Sequence, residues 1–294
     1  MRDVETPAPA PLPHLGPRLT RAFASPRAGR AALVPYLTGG HPDLDTSGRL
    51  IDAVTGAGAD IVELGVPFSD PIADGPVVQR STHEALTAGV TPDDVMQLAA
   101  GHSGAAPFVL LTYVNSVLAY GPERFFARAA ASGVEALVIP DLPLDEAATP
   151  DFPPAAEGFP GTPGGLAGLA AQHGVSLVPM ATPTSTEARL DMVAAAATSF
   201  IYCVAVTGVT GARAEVGSGL PSLLERLRAR TAVPLVAGFG ISTPEQAARV
   251  AHLADGVIIG SALIDAVSAA AGPDAACKAA AELIGAASAA IAAG

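Results

Sequence analysis

Clusters of basic residues are missing from this chain of 294 residues, in which 28 aspartates and glutamates outnumber 16 lysines and arginines and give a formal net charge of -12. Nucleic acids and anionic membranes are bound through clustered basic side chains. We therefore expect neither as a partner. A small phosphate compound is not excluded, because helix N-termini and backbone N–H groups can hold an anion.

Cysteine is also scarce: only Cys203, in an apolar run, and Cys277, in an alanine-rich helical stretch, occur. Their spacing suits neither a metal site nor a disulfide framework. We therefore expect reduced core residues and no metal, as in a cytoplasmic protein. The first 16 residues carry acids and prolines where a secretory signal needs an apolar run, which also favours the cytoplasm.

Charge is absent from residues 192–212, a stretch long enough to cross a bilayer. Its composition favours another interpretation, namely the end of a helix, then the buried strand SFIYCVAV, then the loop GVTG. We therefore predict no membrane span.

What the chain has in quantity is apolar sequence, with 50% hydrophobic and 15% charged residues, enough for one large core. Short unbroken apolar runs alternate with helical segments. The runs lie at 32–37, 60–65, 107–113, 135–140, 176–179, 200–206, 233–238 and 256–260. Continuous runs indicate parallel strands covered on both faces. Eight such units predict an α/β fold, a single (β/α)8 TIM barrel; an open doubly wound sheet is the alternative, but TGGHP follows the first run instead of a glycine fingerprint.

Helices are predicted between the runs, at 44–57, 91–100, 121–132, 185–196, 219–230, 243–253 and 273–292. Thr91 and Thr243 each precede a proline and are candidate N-caps. We predict a loose tail at 1–16 and a barrel domain at 17–294, whose first helix, within 18–27, closes the barrel bottom. Residues 146–165 are dense in proline, glycine and alanine and predict a flexible insertion after the fourth strand.

The most informative segment is ADIVELGVPFSDPIADGPVVQ, residues 59–79, which places Glu63 inside an apolar strand. Strand alternation puts it on one face with Ile61 and Gly65. If that face is the barrel interior, the carboxyl group either has a polar partner or has a raised pKa and can act as an acid or base. A purely structural glutamate is the alternative, and Asp70 and Asp74 have the alternative of ordinary turn residues.

The chain resembles the alpha subunit of tryptophan synthase. The matching motifs follow in order from about residue 18: PYLTGGHP, ELGVPFSDPIADGPVVQ, LLTYVN, IPDLP, TGVTGAR, VAGFGIST and GSAL. The resemblance implies a carbon–carbon lyase of L-tryptophan biosynthesis that cleaves indole-3-glycerol phosphate to indole and glyceraldehyde 3-phosphate. It assigns both proton transfers to Glu63 and the indole N–H to Asp74.

The resemblance also implies which residues bind the substrate. The indole would lie against Tyr36, Leu111, Tyr113, Tyr202 and Phe239, with Val206 to about Gly219 as a mobile lid. The phosphate would bind at Thr210, Gly211, Gly240, Gly260 and Ser261, after strands six to eight, where barrels commonly hold phosphate. Each of these aromatic residues and glycines could instead be a core or turn residue.

The family works as an α2β2 heterotetramer with a beta subunit that carries pyridoxal phosphate, so the resemblance implies no cofactor in this chain. It places Pro67, Asp70 and Pro71 at the beta contact. His41 stands where the family often has an acidic residue, and we assign it no catalytic role. Two alternatives remain: a stand-alone lyase that releases free indole, and a non-catalytic subunit that activates its partner.

Overall fold

Parallel strands surround the centre of the computed structural model, which describes residues 16–24, 30–149, 164–204, 219–238 and 240–293. The strands are β1 (Ala32–Thr38), β2 (Val62–Gly65), β3 (Phe108–Leu111), β4 (Val134–Val138), β5 (Ser176–Val178), β6 (Met180–Ala181), β7 (Ile201–Val204), β8 (Leu235–Gly238) and β9 (Gly256–Ile259). They pair in the order β5-β4-β3-β2-β1-β9-β8-β7-β6. Each of the eight predicted strands is confirmed.

The sheet closes through Pro179, which separates β5 from β6. Proline has no N–H to donate, but the Pro179 carbonyl accepts the Tyr202 N–H at 3.0 Å. The two short strands therefore act as one, pairing with β4 on one side and β7 on the other. The result is the predicted eight-unit barrel.

Alternation along the strands divides the core into two layers. One set of buried side chains, including Val34, Ile61 and Val236, fills the barrel interior. The other, including Leu33, Leu64 and Leu137, packs between the strands and the outer helices. Positions two apart on a strand share a layer, so Glu63 lies inside the barrel with Ile61, as predicted.

The helices are α1 (Pro17–Ala24), α2 (Leu44–Gly56), α3 (Pro76–Thr87), α4 (Pro92–Gly101), α5 (Val114–Tyr120), α6 (Pro122–Ala131), α7 (Leu144–Ala147), α8 (Gly165–Gln172), α9 (Glu187–Ala196), α10 (Leu220–Arg228), α11 (Pro244–Ala251), α12 (Ser261–Ser268) and α13 (Pro273–Ala293). The seven helices predicted after the first strand are confirmed, six of them between strands and α13 after the last, and Thr91 and Thr243 both form capping boxes. Helices α3, α5, α7, α8 and α12 were not predicted, and most of them are too short to show a helical period.

Helix α1 closes the barrel bottom, as predicted. Leu19 is fully buried in the interior layer. Glu135, at the start of β4, accepts the backbone N–H groups of Leu19 at 2.8 Å and Arg18 at 3.3 Å. A carboxylate at a helix N-terminus satisfies unpaired N–H groups there and opposes the helix dipole. Residues 25–27 of the predicted helix, and residues 1–15 of the predicted tail, lie outside the described residues.

The predicted insertion, 146–165, has bounds that are too wide. Glu146 and Ala147 belong to α7, whose first turn is acidic and follows Pro143, and these features favour a helix start. Gly165 begins α8. Residues 150–163 lie outside the described residues.

Among the described residues one helix, α13, is long and apolar enough to cross a membrane by length and composition. It packs instead on α2, α11 and α12. One face is buried through Ala276, Ala280, Ile284, Ala287 and Ile291. This spacing is that of an amphipathic helix with one face packed on the outer helices of the barrel.

The uncharged stretch at 192–212 ends α9 and forms β7, with residues 205–212 outside the described part. Cys203, within it, is a buried free thiol, and Cys277 is a partly buried one. The strand β7 and the buried position of Cys203 are as predicted.

Candidate active site at the barrel mouth

Glu63 is the buried acid of the site. Its backbone pairs with Tyr36 of β1 and Val109 of β3, both interior residues. The side chain is 1% exposed, and neither carboxyl oxygen has a hydrogen-bond partner among the described residues. Burial, aided by the nearby charge of Asp74, raises the pKa of Glu63 to about 8. At neutral pH the group is therefore mainly protonated and free to donate to a substrate.

Asp74 reaches the mouth on the loop between β2 and α3. Its N–H donates to the Pro71 carbonyl at 3.1 Å, which forms a turn. The Tyr113 hydroxyl donates to Asp74 Oδ2 at 3.0 Å and accepts the Ala73 N–H at 3.1 Å. Burial raises the pKa of Asp74 to about 6, against the lowering effect of the Tyr113 hydrogen bond.

Further contacts fix this loop. The Gln79 amide donates to the Asp74 carbonyl at 2.9 Å. The ring of Phe68 stacks on Tyr113 with 5.0 Å between centroids. Glu63 and Asp74 are thus two carboxyl groups whose surroundings give them different protonation states near pH 7, the arrangement expected of an acid beside a charge stabiliser.

Two tyrosines complete the interior of the mouth. Tyr36 and Tyr202 are almost fully buried. A β-carbon added at Gly65 would lie 2.0 Å from the Tyr36 hydroxyl, and one added at Gly238 would lie 2.6 Å from the Tyr202 hydroxyl. Glycine at these two strand ends therefore makes room for the phenols. Burial and the nearby carboxylates hold the pKa of both tyrosines well above its ordinary value, so they stay neutral.

Sequence reasoning missed the role of Gly65 and Gly238, although glycine within a strand is itself a signal of close approach. It also missed Phe68 as the partner of Tyr113. Leu111 lies at the end of β3 opposite Gly65 and supplies a buried apolar wall.

Part of the predicted phosphate site lies within the described residues. Gly260 follows β9 and is the N-cap of α12, with Ser261 as the first helical residue. Tyr36 Cβ would lie 3.5 Å from a β-carbon at Gly260, which places the start of α12 beside the mouth. Gly240, with φ of 78°, follows the neighbouring β8. Thr210, Gly211 and Phe239 lie outside the described residues, as does residue range 206–218 of the predicted lid.

The predicted partner loop lies beside the mouth. Pro67 is buried, Pro71 half-buried and Asp70 exposed. Ile72 lies between Pro71 and Asp74 and is 80% exposed, more than any other large apolar side chain of the described residues. An open groove of about 380 Å³ runs from this loop to His83 on α3.

Across the described ranges no three histidine, cysteine, aspartate or glutamate side chains converge as a metal site requires.

A poised acid and a charged aspartate at the carboxyl ends of the strands define an acid–base enzyme of the TIM-barrel class. Residues 23–292 match the family model described as tryptophan synthase alpha chain. The tryptophan synthase alpha chain of Chloroflexus aggregans is 45% identical over 253 residues, covering 84% of this chain and 88% of that protein. That of Carboxydothermus hydrogenoformans is 41% identical and covers 85% and 89%.

Solved structures agree. A chain of Mycobacterium tuberculosis tryptophan synthase superposes with a TM-score of 0.79 at 35% identity, covering 93% of this chain and 98% of that one. The alpha chain from Legionella pneumophila gives a TM-score of 0.77 at 30% identity, covering 93% and 97%. The chain belongs to the tryptophan synthase alpha chain family, and it is a lyase of tryptophan biosynthesis.

Proposed function

We propose that Glu63 and Asp74 carry out the retro-aldol cleavage of indole-3-glycerol phosphate to indole and glyceraldehyde 3-phosphate. The observation that supports this most directly is the isolated Glu63 carboxyl group, protonated at neutral pH with no partner among the described residues. An aromatic indole is a poor leaving carbanion, so its C3 must be protonated before the C3–C1′ bond can break.

Glu63 acts twice in this scheme. Its proton is first transferred to indole C3, which converts the ring to the indolenine form and leaves Glu63 as a carboxylate. The carboxylate then removes the proton from the glycerol hydroxyl at C1′. As the C3–C1′ bond breaks, its electron pair returns to the ring, the carbonyl of glyceraldehyde 3-phosphate forms, and Glu63 is protonated again.

Asp74 acts on the ring nitrogen. Protonation of C3 leaves positive charge on the ring, and an ionised Asp74 that accepts the indole N–H stabilises that charge. Its pKa of about 6 keeps it mainly ionised at neutral pH. The fixed loop and the Tyr113 hydrogen bond hold it in place before the substrate arrives.

The rest of the substrate occupies the mouth between these groups. The indole ring lies among Tyr36, Leu111, Tyr113, Tyr202 and Phe239. The phosphate binds at Thr210, Gly211, Gly240, Gly260 and Ser261, where the first N–H groups of α12 supply positive potential without a basic side chain. These roles need no metal or cofactor in this chain.

The cleavage is tested by indole release from the purified wild-type chain and from Glu63→Gln, which keeps the shape and removes the acid. Each proton transfer typically contributes ~10²–10⁴-fold, so we expect a loss of at least about 100-fold. Glu282→Gln, an exposed change on α13, is the matched control and should leave the rate unchanged. Equal indole release by wild type and Glu63→Gln would refute the mechanism.

We further propose that the chain works in the cytoplasm in an α2β2 complex with a tryptophan synthase beta subunit that carries pyridoxal phosphate. The open groove beside the mouth supports this, since Phe68, Ile72 and Leu86 line it together and contiguous exposed apolar surface marks interaction sites. A purified pair should co-elute and raise the lyase rate. Absence of both, with full turnover by the chain alone, would favour the stand-alone lyase.

A further inference from the structure

His41, which the proposed chemistry does not use, is buried at the top of the barrel where three elements meet. It lies three residues after the end of β1, and only 5% of the residue is exposed. Its Nε2 lies 3.1 Å from the hydroxyl oxygen of Ser268, the last residue of α12. Its Nδ1 lies 3.1 Å from Glu84 Oε2 of α3, at ion-pair distance but not aligned as a hydrogen bond.

The imidazole stands on a fixed turn. The His41 N–H donates to the Thr38 carbonyl at 3.1 Å, and the His41 carbonyl accepts the Ser47 hydroxyl at 3.1 Å. These two hydrogen bonds hold the backbone of His41 in place. The imidazole can therefore orient Ser268, because it has little freedom to move with it.

The charge state of His41 fits a hydrogen-bonding role. Burial lowers the pKa of His41, and Arg80 acts in the same direction, while Glu84 opposes them. The other charged group at this junction is Asp265 of α12, which pairs with Arg80 at 3.1 Å. A neutral ring has one N–H and one bare nitrogen, so Nε2 can pair with the Ser268 hydroxyl in either tautomer, as the acceptor or as the donor.

The helix that His41 contacts is the one that begins at the candidate phosphate site. Eight residues make α12 about 12 Å long, with Gly260 and Ser261 at one end and Ser268 at the other. Leu263, Ile264 and Val267 hold it through apolar packing, which is not directional. The Arg80–Asp265 pair is more than half exposed on both sides and contributes little.

We propose that His41 is a positioning residue that sets the orientation of α12 through Ser268, and so aims the N–H groups at the start of α12 at the substrate phosphate. The proposal rests on the proposed function, which places the phosphate there. It assigns a role to a histidine at a position that carries no part of the acid–base chemistry.

Three variants test it. Ser268→Ala removes the contact at an exposed helix end, where misfolding is not expected. His41→Gln places an amide near the position of Nε2 and keeps a partner for Ser268. His41→Asn reaches only the position of Nδ1 and loses that partner. His173→Gln, at a histidine that contacts Glu123 beside α8, is the matched control.

The measurements are KM and kcat for indole-3-glycerol phosphate, the inhibition constant of glycerol 3-phosphate, and the unfolding midpoint. Loss of one hydrogen bond predicts a rise of about threefold to tenfold in KM and in the inhibition constant for Ser268→Ala and His41→Asn. The value of kcat should stay within about twofold. His41→Gln and the control should match wild type.

Unchanged inhibition constants in Ser268→Ala and His41→Asn would overturn the proposal. A fall in kcat and unfolding midpoint shared by all three variants would also overturn it, because that result indicates general damage to the fold. If the proposed function is wrong, wild type will release no indole. The role of His41 can still be tested in that case, because calorimetry of glycerol 3-phosphate binding measures the effect of Ser268→Ala without turnover.

Discussion

Tyr113, just after the neighbouring strand β3, holds Asp74 in place: its phenol oxygen lies 3.0 Å from Asp74 Oδ2 and also accepts the N–H of Ala73 at 3.1 Å. One hydroxyl therefore fixes both the carboxylate and the backbone beside it. The resemblance assigned Tyr113 to the indole wall. The structure adds a polar role, which no pattern in the residues around Tyr113 indicates.

Tyr113→Phe should reduce kcat/KM by about tenfold, because a hydrogen bond to a charged group contributes roughly 1.5–3 kcal/mol and part of that is recovered through water. The same change removes an interaction that lowers the pKa of Asp74, so that pKa should rise. Steady-state kinetics at several pH values measure both effects. Tyr120→Phe is the control, since the Tyr120 hydroxyl donates at 2.9 Å to Asp93 on the surface; equal losses in the two variants would contradict the assignment.

The pH dependence of kcat/KM should be bell-shaped. Below about pH 6 Asp74 becomes protonated and no longer stabilises the charged ring. Above about pH 8 Glu63 loses the proton that C3 requires. Because the two carboxyl groups interact, the apparent pKa values of the acidic and alkaline limbs are properties of the pair and not of either residue alone. In Asp74→Asn the residual activity should lose its acidic limb, and its alkaline limb should move to lower pH because the charge that raises the Glu63 pKa is gone.

Much of the fold could be predicted because its signals are local. Continuous apolar runs and threonine caps before prolines are readable one segment at a time, and the eight strands follow from them. Helix α3 was missed because its sequence, PVVQRSTHEALT, has few apolar residues at helical spacing. The closure through Pro179 depends on both neighbouring strands and has no local signal.

The site was less predictable because it depends on contacts between distant segments. Strand alternation alone places Glu63 on one face with Ile61 and Gly65, and the closed barrel makes that face the interior. The space that Gly65 leaves for Tyr36 and the contact of His41 with Ser268 join residues that are far apart in sequence. Such contacts follow only from the closed barrel.

The free energy of unfolding should fall as pH rises, because Glu63 must ionise while it is buried. Its pKa is raised from 4.5 in the unfolded chain to about 8 in the folded one. Stability from the protonated form is therefore fully present below about pH 4.5 and is lost as pH rises through about 8, by an amount on the order of a few kcal/mol. Glu63→Gln has no such ionisation, so its unfolding free energy should exceed that of wild type increasingly between these limits. Denaturant titrations at pH 5 and pH 8 measure this, and a constant difference between the two proteins would contradict it.

Ile72 provides the sharpest test of the partner surface, because it is a large apolar side chain that is 80% exposed beside the mouth. Burying such a side chain contributes roughly 1.5–3 kcal/mol, so Ile72→Asp should raise the beta-subunit concentration for half-maximal activation at least about tenfold. The rate of the isolated chain should change little. Leu253→Asp is the matched control, since Leu253 is 45% exposed just after α11, away from the loop. If both variants respond equally to the beta subunit, the contact does not lie at Ile72; if only Ile72→Asp is impaired, the loop between β2 and α3 both carries Asp74 and receives the partner.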